Sequence, residues 1–468
     1  MNSADAKLTF QEKVGYSLGD FASVLFWQTI SLHLIFFYTD VFGIGATAAG
    51  TMIFLTRMWD GINDPMMGMI ADRTHTRWGK FRPYLLWMSI PLAIAAVFTF
   101  STPDFSYSGK LIYAYVTFIV FMMLYTAINI PYSALLGVIT PDTSERTVLS
   151  SFKYIGAYAG ALVVSAFLLP LVKQIGGSGT SPAGWTVSMS FFGVIAVLLF
   201  AVTFFTTKER VCPPASQKTT IGRDLKDLFT NKPWLLMLFA TLAMLLWVSL
   251  RLGVTNYYFR YYIAPNRFEE WVSVFNTVGM IGSISGVVVV SWFARILGKK
   301  KAFLILFIIA NLLTMSFLFF TPRHLYLLIA VQGIASFAGG PLTPLIWAMY
   351  ADTADYSEWK NGRRATGLIF SASTMSQKFG WAFGAFLTGL LLEKIGYVPN
   401  VEQPEHVLFW MRMLMSVIPG IAGIVSIVIV LFYKLDESTM MEISDQLQQR
   451  RKAGPAAETI AEESGLNP

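Results

Sequence analysis

Two carboxylates and an asparagine lie close together in a segment that is otherwise apolar enough to cross a membrane. Asp60, Asn63 and Asp64 follow Arg57 in the run RMWDGINDP at 57–65. A spacing of four places Asp60 and Asp64 on one face of a helix. Each carboxylate costs about 2.5–3.5 kcal/mol at the centre of a membrane helix, so a cation is expected to meet it. The run therefore predicts a site for a small cation or a proton inside a membrane protein.

The composition of the chain supports this location. Hydrophobic residues make up 54% of the 468 residues and charged residues 13%, whereas soluble domains carry about 25% charged residues. The net charge of +7 does not indicate nucleic acid, because the basic residues lie in short loops, where they orient membrane helices. The single cysteine, Cys212, excludes an internal disulfide and a cysteine-based metal cluster. The polar first dozen residues lack a cleavable signal pattern, so we expect the first apolar segment to be retained.

Windows of about 20 residues predict twelve membrane-spanning helices. We predict an all-α membrane protein with two six-helix bundles, 1–207 and 233–435. A cytoplasmic central loop at 208–232 joins the bundles, and a polar tail at 436–468 is expected to be a solvated helix or disordered. Weak echoes between the halves favour the six-plus-six parallel repeat of a transporter that rocks around a midplane site. The predicted spans are 14–39, 45–71, 84–101, 111–138, 148–172, 185–207, 234–262, 269–296, 302–321, 325–351, 366–393 and 407–434.

Basic residues concentrate in every second loop, from the loop at 73–82 onwards. By the positive-inside rule, these loops and both termini are predicted to be cytoplasmic. The sequence contains neither a Walker A glycine loop nor a histidine and cysteine cluster. We therefore expect a transporter rather than an enzyme, with no cofactor, driven by an ion gradient. We expect a monomer in the bacterial cytoplasmic membrane, with the lipid bilayer and a small substrate as its partners and no nucleic acid.

Polar residues in the first and fourth spans indicate a substrate cavity. Asp20 and Trp27 share a helix face at a spacing of seven, and carboxylates bind hydroxyl pairs while aromatic faces pack against pyranose rings. This pair predicts a sugar site, although Asp20 is also suited to capping or orienting its helix. Thr126 and Asn129 face one way just before Pro131, which is typical of a cavity-lining helix or of a kink stabilised by interhelical hydrogen bonds.

Three basic side chains in or near the spans need partners. Lys378 is readily explained as the partner of Asp60 or Asp64, where it holds the carboxylates when the cation leaves, or forms a fixed salt bridge. Arg251 must meet a carboxylate or a water-filled cavity. It therefore either pairs structurally, with an aspartate of the second span, or binds an acidic group of the substrate. Lys153 lies at the edge of the fifth span, where a lysine is able to snorkel to the headgroups.

Six motifs taken together are specific to one family. The chain from about residue 10 to 435 resembles the glycoside–pentoside–hexuronide:cation symporters, the branch of the major facilitator superfamily that includes the melibiose permease. The resemblance implies the twelve-helix fold and cation-coupled transport by alternating access. The motifs are GYSLGDFAS at 15–23, FFYTDVFG at 36–43, WDGINDPMMG at 59–68, ADRTHTRWGKFRP at 71–83, NIPYSAL at 129–135 and DTADYSEWKNGRR at 352–364.

The resemblance also implies roles for individual residues. We expect the coupling ion to be a monovalent cation, with Na⁺ as the first choice and H⁺ as the second. A proton needs only one of the two aspartates, so the full set of oxygens favours a metal ion. The positions that match its ligands are Asp60, Asn63, Asp64 and Thr126, with Lys378 and Arg57 as charge partners. The positions that match the sugar cavity are Asp20, Trp27, Tyr125, Asn129, Lys153 and Thr374, with Tyr132 and Arg251 as either substrate contacts or structural residues. The positions that match cytoplasmic gating charges are Arg77, Lys80, Arg82, Asp352, Asp355 and Arg363.

The cavity departs from that of the melibiose permease, which has Asp, Arg and Trp where this chain has Asn129, Lys153 and Ser133. The loss of a carboxylate and a stacking ring argues against α-galactosides and favours xylosides, glucuronides or other glycosides. A uronate or a sulfonated sugar is a minor hypothesis. Two alternatives remain. A lysolipid carrier of the same branch would need a long apolar cleft, and a non-transporting sensor would not need the complete set of cation ligands.

Overall fold

The structure, a computed structural model, describes residues 8–140, 142–210, 229–361, 366–443, 445–447 and 449, and the regular secondary structure within them is helical. The helices of the first half are α1 (Phe10–Phe36), α2 (Ala46–Arg73), α3 (Arg82–Trp87), α4 (Ser89–Thr99), α5 (Tyr107–Val138), α6 (Thr143–Gly176) and α7 (Pro182–Thr206). Those of the second half are α8 (Lys232–Tyr258), α9 (Phe268–Leu297), α10 (Lys299–Met315), α11 (Leu325–Gly339), α12 (Leu342–Asn361), α13 (Thr366–Lys394), α14 (Glu405–Met415) and α15 (Val417–Leu431).

These helices make twelve passes in the described part of the chain, because three passes consist of two helices each. The paired helices are α3 with α4, α11 with α12, and α14 with α15. Two helices are extended by π-helical turns, α1 by Phe37–Phe42 and α8 by Phe259–Ile263. The prediction of an all-α membrane protein with two six-helix bundles is thereby confirmed.

Ten passes among the described residues are long and apolar enough to cross a membrane by composition alone. The other two are α2 and α13, and they carry the charged residues of the predicted cation site. These two helices pack against each other across the boundary between the halves. Their approach is close at Gly50, where a Cβ atom would lie 2.9 Å from the carbonyl oxygen of Ala385. A glycine there allows the two backbones to meet.

The two halves pack together at one end of the molecule and separate at the other. We call the end with the loops at 74–81 and 207–210 the basic end, and the end with the loops at 43–45 and 395–404 the far end. One apolar core runs through the first half and, at the far end, also includes residues of the second half, such as Tyr257 and Val407. A second core at the basic end consists of residues of the second half only. The polar space between the halves therefore widens towards the basic end.

Two segments differ from the sequence-based expectation. The tenth predicted span ended at 351, but α12 continues to Asn361 because Ala354 and Ser357 are buried at helical spacing although the segment is polar overall. A hydropathy window does not detect such an amphipathic extension. In the described part of the tail, Met440, Ile443 and Leu447 are buried in the second core, so the tail packs onto the second half. Residues 211–228 of the central loop and 450–468 of the tail lie outside the described residues.

Candidate functional site

Asp60 and Arg57 form an ion pair inside the second pass. Their side chains lie one turn apart on α2, with Arg57 Nη1 3.5 Å from Asp60 Oδ2. Both are buried, at 1% and 4% exposure. The Arg57 guanidinium also lies 4.1 Å from the ring centroid of Trp27 on α1, a cation–π geometry. Arg57 therefore links the aspartate of the predicted cation site to the tryptophan of the predicted sugar cavity.

Asp64 has partners from both halves. Its Oδ1 accepts a hydrogen bond of 3.1 Å from the Thr126 hydroxyl on α5. Its Oδ2 pairs with the ammonium group of Lys378 on α13. Lys378 thus meets one of the two aspartates proposed as its partner from the sequence. The Asp64 carboxylate is also more accessible than that of Asp60, with 20% of its side chain exposed against 2%.

Two polar side-chain atoms of this site are buried without a hydrogen-bond partner among the described residues. They are Asp60 Oδ1 and the Asn63 side-chain nitrogen. Because the two ends of an amide are assigned from their surroundings, Asn63 is equally able to present its oxygen there. A cation bound at Asp60, Asn63, Asp64 and Thr126 would satisfy these atoms with the oxygen ligands that hard cations prefer. In the residues that the structure describes, no group of three or more His, Cys, Asp or Glu side chains is placed to hold a metal.

Trp27 and Tyr125 form an aromatic wall next to this site. Their rings stack with centroids 5.9 Å apart and planes inclined by 25°. The Asn129 side-chain nitrogen donates to the Tyr125 backbone oxygen at 3.1 Å, within α5. That bond occupies one amide hydrogen, and the remaining polar atoms of Asn129 are available to a substrate. The structure therefore brings together three of the predicted sugar-cavity residues.

The other predicted sugar residues surround the basic side of this wall. The Lys153 ammonium lies 5.5 Å from the ring centroid of Tyr132. It also interacts electrostatically with the carboxylate of Asp20. Tyr132 is fully buried, and its hydroxyl donates to the backbone oxygen of Tyr16 at 2.7 Å, which favours the structural alternative for Tyr132. Thr374 is exposed on α13, one turn before Lys378.

Arg251 does not pair with an aspartate of α2, which was one of the two alternatives for it. Its Nη2 donates to Gln332 Oε1 on α11 at 2.7 Å. Its guanidinium also lies 5.4 Å from the ring centroid of Trp247 and 5.3 Å from that of Phe317. All these partners belong to the second half, so Arg251 lies on the wall opposite the predicted sugar residues of the first half.

Four of the predicted gating residues at the basic end, Arg77, Lys80, Arg82 and Asp352, make contacts inside their own halves. The backbone N–H groups of Lys80 and Arg82 donate to Glu209 at 2.9 Å each. Lys299 Nζ pairs with Asp352 at 2.5 Å. Arg77 lies over the ring of its neighbour Trp78, Asp355 has a polar or charged partner, and Arg363 lies outside the described residues.

The sequence analysis missed a buried network that joins the halves at the far end. Asp40, in the π-helical turn after α1, is 4% exposed. It accepts hydrogen bonds from Arg260 Nη1 at 2.8 Å, the Tyr261 hydroxyl at 2.5 Å and the Tyr397 hydroxyl at 2.7 Å. The Asn400 side chain donates to the Asp40 backbone oxygen at 2.9 Å. Asp40 lies in the quoted motif FFYTDVFG, so an aspartate near the end of a span was the available signal.

Two six-helix bundles around a central polar space define a secondary transporter of the major facilitator superfamily. The chain belongs to the family of MFS/sugar transport proteins, whose model matches residues 15–437. This confirms the resemblance to the glycoside–pentoside–hexuronide:cation symporters, and the protein is a transporter rather than an enzyme.

Relatives and solved structures agree with this assignment. A putative glycoside/cation symporter, YagG of Escherichia coli (strain K12), is 37% identical over 450 residues, which cover 96% of each chain. The isoprimeverose transporter of Lactiplantibacillus pentosus is 36% identical over 96% of this chain and 94% of its own. A bacterial homologue of the human lysosomal transporter Spinster, solved in an inward-facing and unoccupied conformation, shares the fold with a TM-score of 0.67. It is 12% identical and covers 93% of this chain and 99% of its own.

Proposed function

We propose that the protein is a symporter that moves a glycoside, pentoside or hexuronide into the cell together with a monovalent cation. Na⁺ is the favoured coupling ion and H⁺ is the second choice. The protein works by alternating access, as a monomer in the bacterial cytoplasmic membrane with both termini in the cytoplasm. The bundles are 1–207 and 233–435, with the loop 208–232 between them and the tail 436–468 after them. The relatives named as a glycoside/cation symporter and an isoprimeverose transporter support this class of substrate and its coupling.

The contact between Asp64 and Lys378 is the observation that carries this proposal. The carboxylate is on the first half and the ammonium on the second, and a lysine is able to occupy the place of a cation beside an aspartate. A cation that binds at Asp64 competes with Lys378 for the same oxygen. Cation binding therefore changes an interaction between the halves, which is what coupling of an ion to a conformational change requires.

The ligand set favours a monovalent metal ion. Asp60, Asn63, Asp64 and Thr126 offer oxygens on two neighbouring helices, α2 and α5. The two carboxylates are balanced by two resident cations, Arg57 and Lys378. One added positive charge replaces the charge of Lys378 when that ammonium withdraws, whereas a divalent ion would leave a surplus charge in a low-dielectric site. A proton would use only one of the oxygens.

The orientation follows from the basic loops, and it makes the far end periplasmic. The network around Asp40 then closes the periplasmic side, and the separated basic end opens the central space to the cytoplasm. This is the inward-facing state of the cycle. Sugar recognition falls to Trp27, Tyr125 and Asn129 with Asp20 and Lys153, next to Arg57 at the edge of the cation site.

Uptake by purified protein in proteoliposomes tests the proposal. A set of methyl glycosides that includes methyl β-D-xyloside and methyl β-D-glucoside is offered under an inward Na⁺ gradient at equal pH, and under an inward H⁺ gradient without Na⁺. We expect the Na⁺ gradient to drive accumulation above equilibrium and Asp64→Asn to abolish this accumulation. Asp104→Asn, in an exposed loop, is the matched control. Uptake that neither gradient affects would exclude symport. Accumulation driven by H⁺ alone would show that the coupling ion is H⁺ rather than Na⁺.

A lysolipid carrier or a sensor with this fold is not favoured. The predicted substrate region carries basic groups from both halves, namely Arg57 at Trp27, Lys153 at Tyr132 and Arg251, whereas a lysolipid would need a long apolar cleft. The relatives with more than a third of their residues identical include proteins named as symporters and transporters.

A further inference from the structure

A cavity of about 430 Å³ lies between the two halves, away from the α2 carboxylates. One wall consists of α8, α9 and α11 of the second half, and includes Arg251 and Gln332. The opposite wall includes Gln28 of α1, next to Trp27, and Ser165 of α6. A volume of this size falls in the range of about 300–1,000 Å³ that small-molecule sites occupy. The cavity therefore extends the predicted sugar site towards the second half.

Arg251 brings a positive charge to this cavity and forms no ion pair with a carboxylate of the described residues. Four of the basic side chains within the passes have acidic neighbours: Arg57 has Asp60, Lys378 has Asp64, Arg260 has Asp40 and Lys153 has Asp20. Arg412, near the far end, instead donates to the backbone oxygen of Leu318. Among the described residues, the polar partner of Arg251 is the neutral amide of Gln332. A guanidinium remains charged at any physiological pH. Since an unpaired charge at membrane depth is costly, a mobile partner is expected to balance it.

Two polar donors at or beside the guanidinium and a hydroxyl on the opposite wall of the cavity are unused in the described part of the chain. They are Arg251 Nε, Trp247 Nε1 and Ser165 Oγ, which are buried without a hydrogen-bond partner among the described residues. Trp247 is 5% exposed and Ser165 is 3% exposed, and both line the cavity. An unmade hydrogen bond at a buried polar group costs about 1–3 kcal/mol. Several unmade bonds around a cavity that holds one cation are the arrangement expected of a site whose acceptor arrives from outside.

We propose that Arg251, Trp247 and Gln332 form a subsite for a singly charged oxyanion, a carboxylate or sulfonate, carried by the transported glycoside. The inference rests on the proposed symport function and narrows its substrate class. An arginine fork matches the two oxygens of a carboxylate. One cation balances one negative charge, so a phosphate dianion fits less well. The sugar ring then occupies the side of Trp27, and its acidic group points to the second half.

Binding of matched ligand pairs to the purified protein in saturating Na⁺ tests this subsite. Methyl β-D-glucuronide and methyl β-D-glucoside differ at carbon 6, where one has a carboxylate and the other a hydroxymethyl group. The galacturonide and galactoside form a second pair. We expect the wild type to bind the acidic member of at least one pair about tenfold or more tightly, as one charge-assisted pair implies. Isothermal titration calorimetry measures both members.

Two variants separate the anion contact from folding. Arg251→Gln removes the charge, and Arg323→Gln, in an exposed 3-10 turn at the far end, is its matched control. Gln332→Glu keeps Arg251 but supplies a fixed carboxylate at the position of its present partner, 2.7 Å away. We expect both site variants to lose the preference for the acidic ligand. The second variant is the more stringent one, because an added internal ion pair does not leave an unpaired buried charge.

The outcomes distinguish this inference from the proposed function. Equal binding of acidic and neutral members by the wild type, binding of neither acidic member, or a preference that survives in Gln332→Glu would overturn the anion subsite. Na⁺-driven uptake of a neutral glycoside in the same preparation would leave symport intact in each of these cases. Loss of all ion-driven uptake with the acidic preference retained would instead overturn symport and leave the subsite standing.

Discussion

The ammonium group of Lys378 on α13 pairs with the carboxylate of Asp64 on α2, and this pair joins the two halves of the protein. Asp60, one turn earlier on the same helix face, instead pairs within α2 with Arg57. The two carboxylates thus have different partners, one fixed within a helix and one shared between the halves. We therefore expect their substitutions to have different effects: loss of Asp60 removes a ligand, whereas loss of Asp64 also removes the link between the halves.

Asp64→Asn is expected to uncouple transport. The variant keeps the shape of the side chain but loses the charge for which the cation and Lys378 compete. We expect ion-driven accumulation to fall by about tenfold or more, since an interaction with a charged group contributes about 1.5–3 kcal/mol. Exchange of labelled for unlabelled sugar without a gradient should persist, because other residues form the sugar wall. Unimpaired accumulation by this variant would remove Asp64 from the coupling site.

Lys378→Gln is expected to strengthen cation binding while it weakens uphill transport. The substitution removes the competitor of the cation at Asp64, so we expect the cation affinity to rise by about tenfold. Release to the cytoplasm should become slow, and the empty carrier should return poorly because Asp64 then keeps its hydrogen bond from Thr126 but has no resident cation. Na⁺ titration followed by tryptophan fluorescence measures the affinity. Lys394→Gln, exposed on the same helix, is the control, and a weaker cation affinity of Lys378→Gln would contradict the competition.

Asp40→Asn is expected to open the far end. Breaking a buried ion pair by removal of one partner costs about 3–5 kcal/mol, and the Asn side chain leaves Arg260 unbalanced. Spin labels at positions 104 and 323, in far-end loops of the two halves, should show a longer distance population by double electron–electron resonance in a Cys212→Ser background. Glu393→Gln affects an exposed far-end contact to the Thr47 backbone and should leave the distances unchanged. Equal distance changes in the two variants would argue against a closing role for the network around Asp40.

Trp27→Ala is expected to weaken sugar binding more than cation binding. The ring stacks with Tyr125 and supports the Arg57 guanidinium, and aromatic and cation–π contacts contribute about 0.5–2 kcal/mol each. We expect the KM for the sugar to rise about tenfold, with a smaller change in the Na⁺ concentration needed for half-maximal uptake. Trp27→Phe should restore most of the affinity. Trp292→Ala, on an exposed face of α9, should have no effect on either quantity.

Much of the fold follows from the sequence because hydropathy reports directly on membrane passes. The limits lie where a residue's partner is distant in the sequence. Asp40 and Arg260 are 220 residues apart, and no periodicity relates them. Helical spacing likewise predicts the face of α8 on which Arg251 lies but not which helix faces it, so the partner Gln332 could not be foreseen. By contrast, the pairing of Lys378 with Asp60 or Asp64 could be predicted, because an intramembrane lysine requires an acidic partner, but the choice of Asp64 came from the structure.

The polar composition of α2 and α13 also bears on how the protein is made. These two passes lack the apolar character that marks the other ten among the described residues. Insertion of a lysine at the centre of a membrane helix costs about 2.5–3.5 kcal/mol. Asp64 precedes Lys378 by 314 residues, so the carboxylate is already embedded when the nascent chain delivers the ammonium. We therefore expect α13 to insert more readily once the first half is assembled.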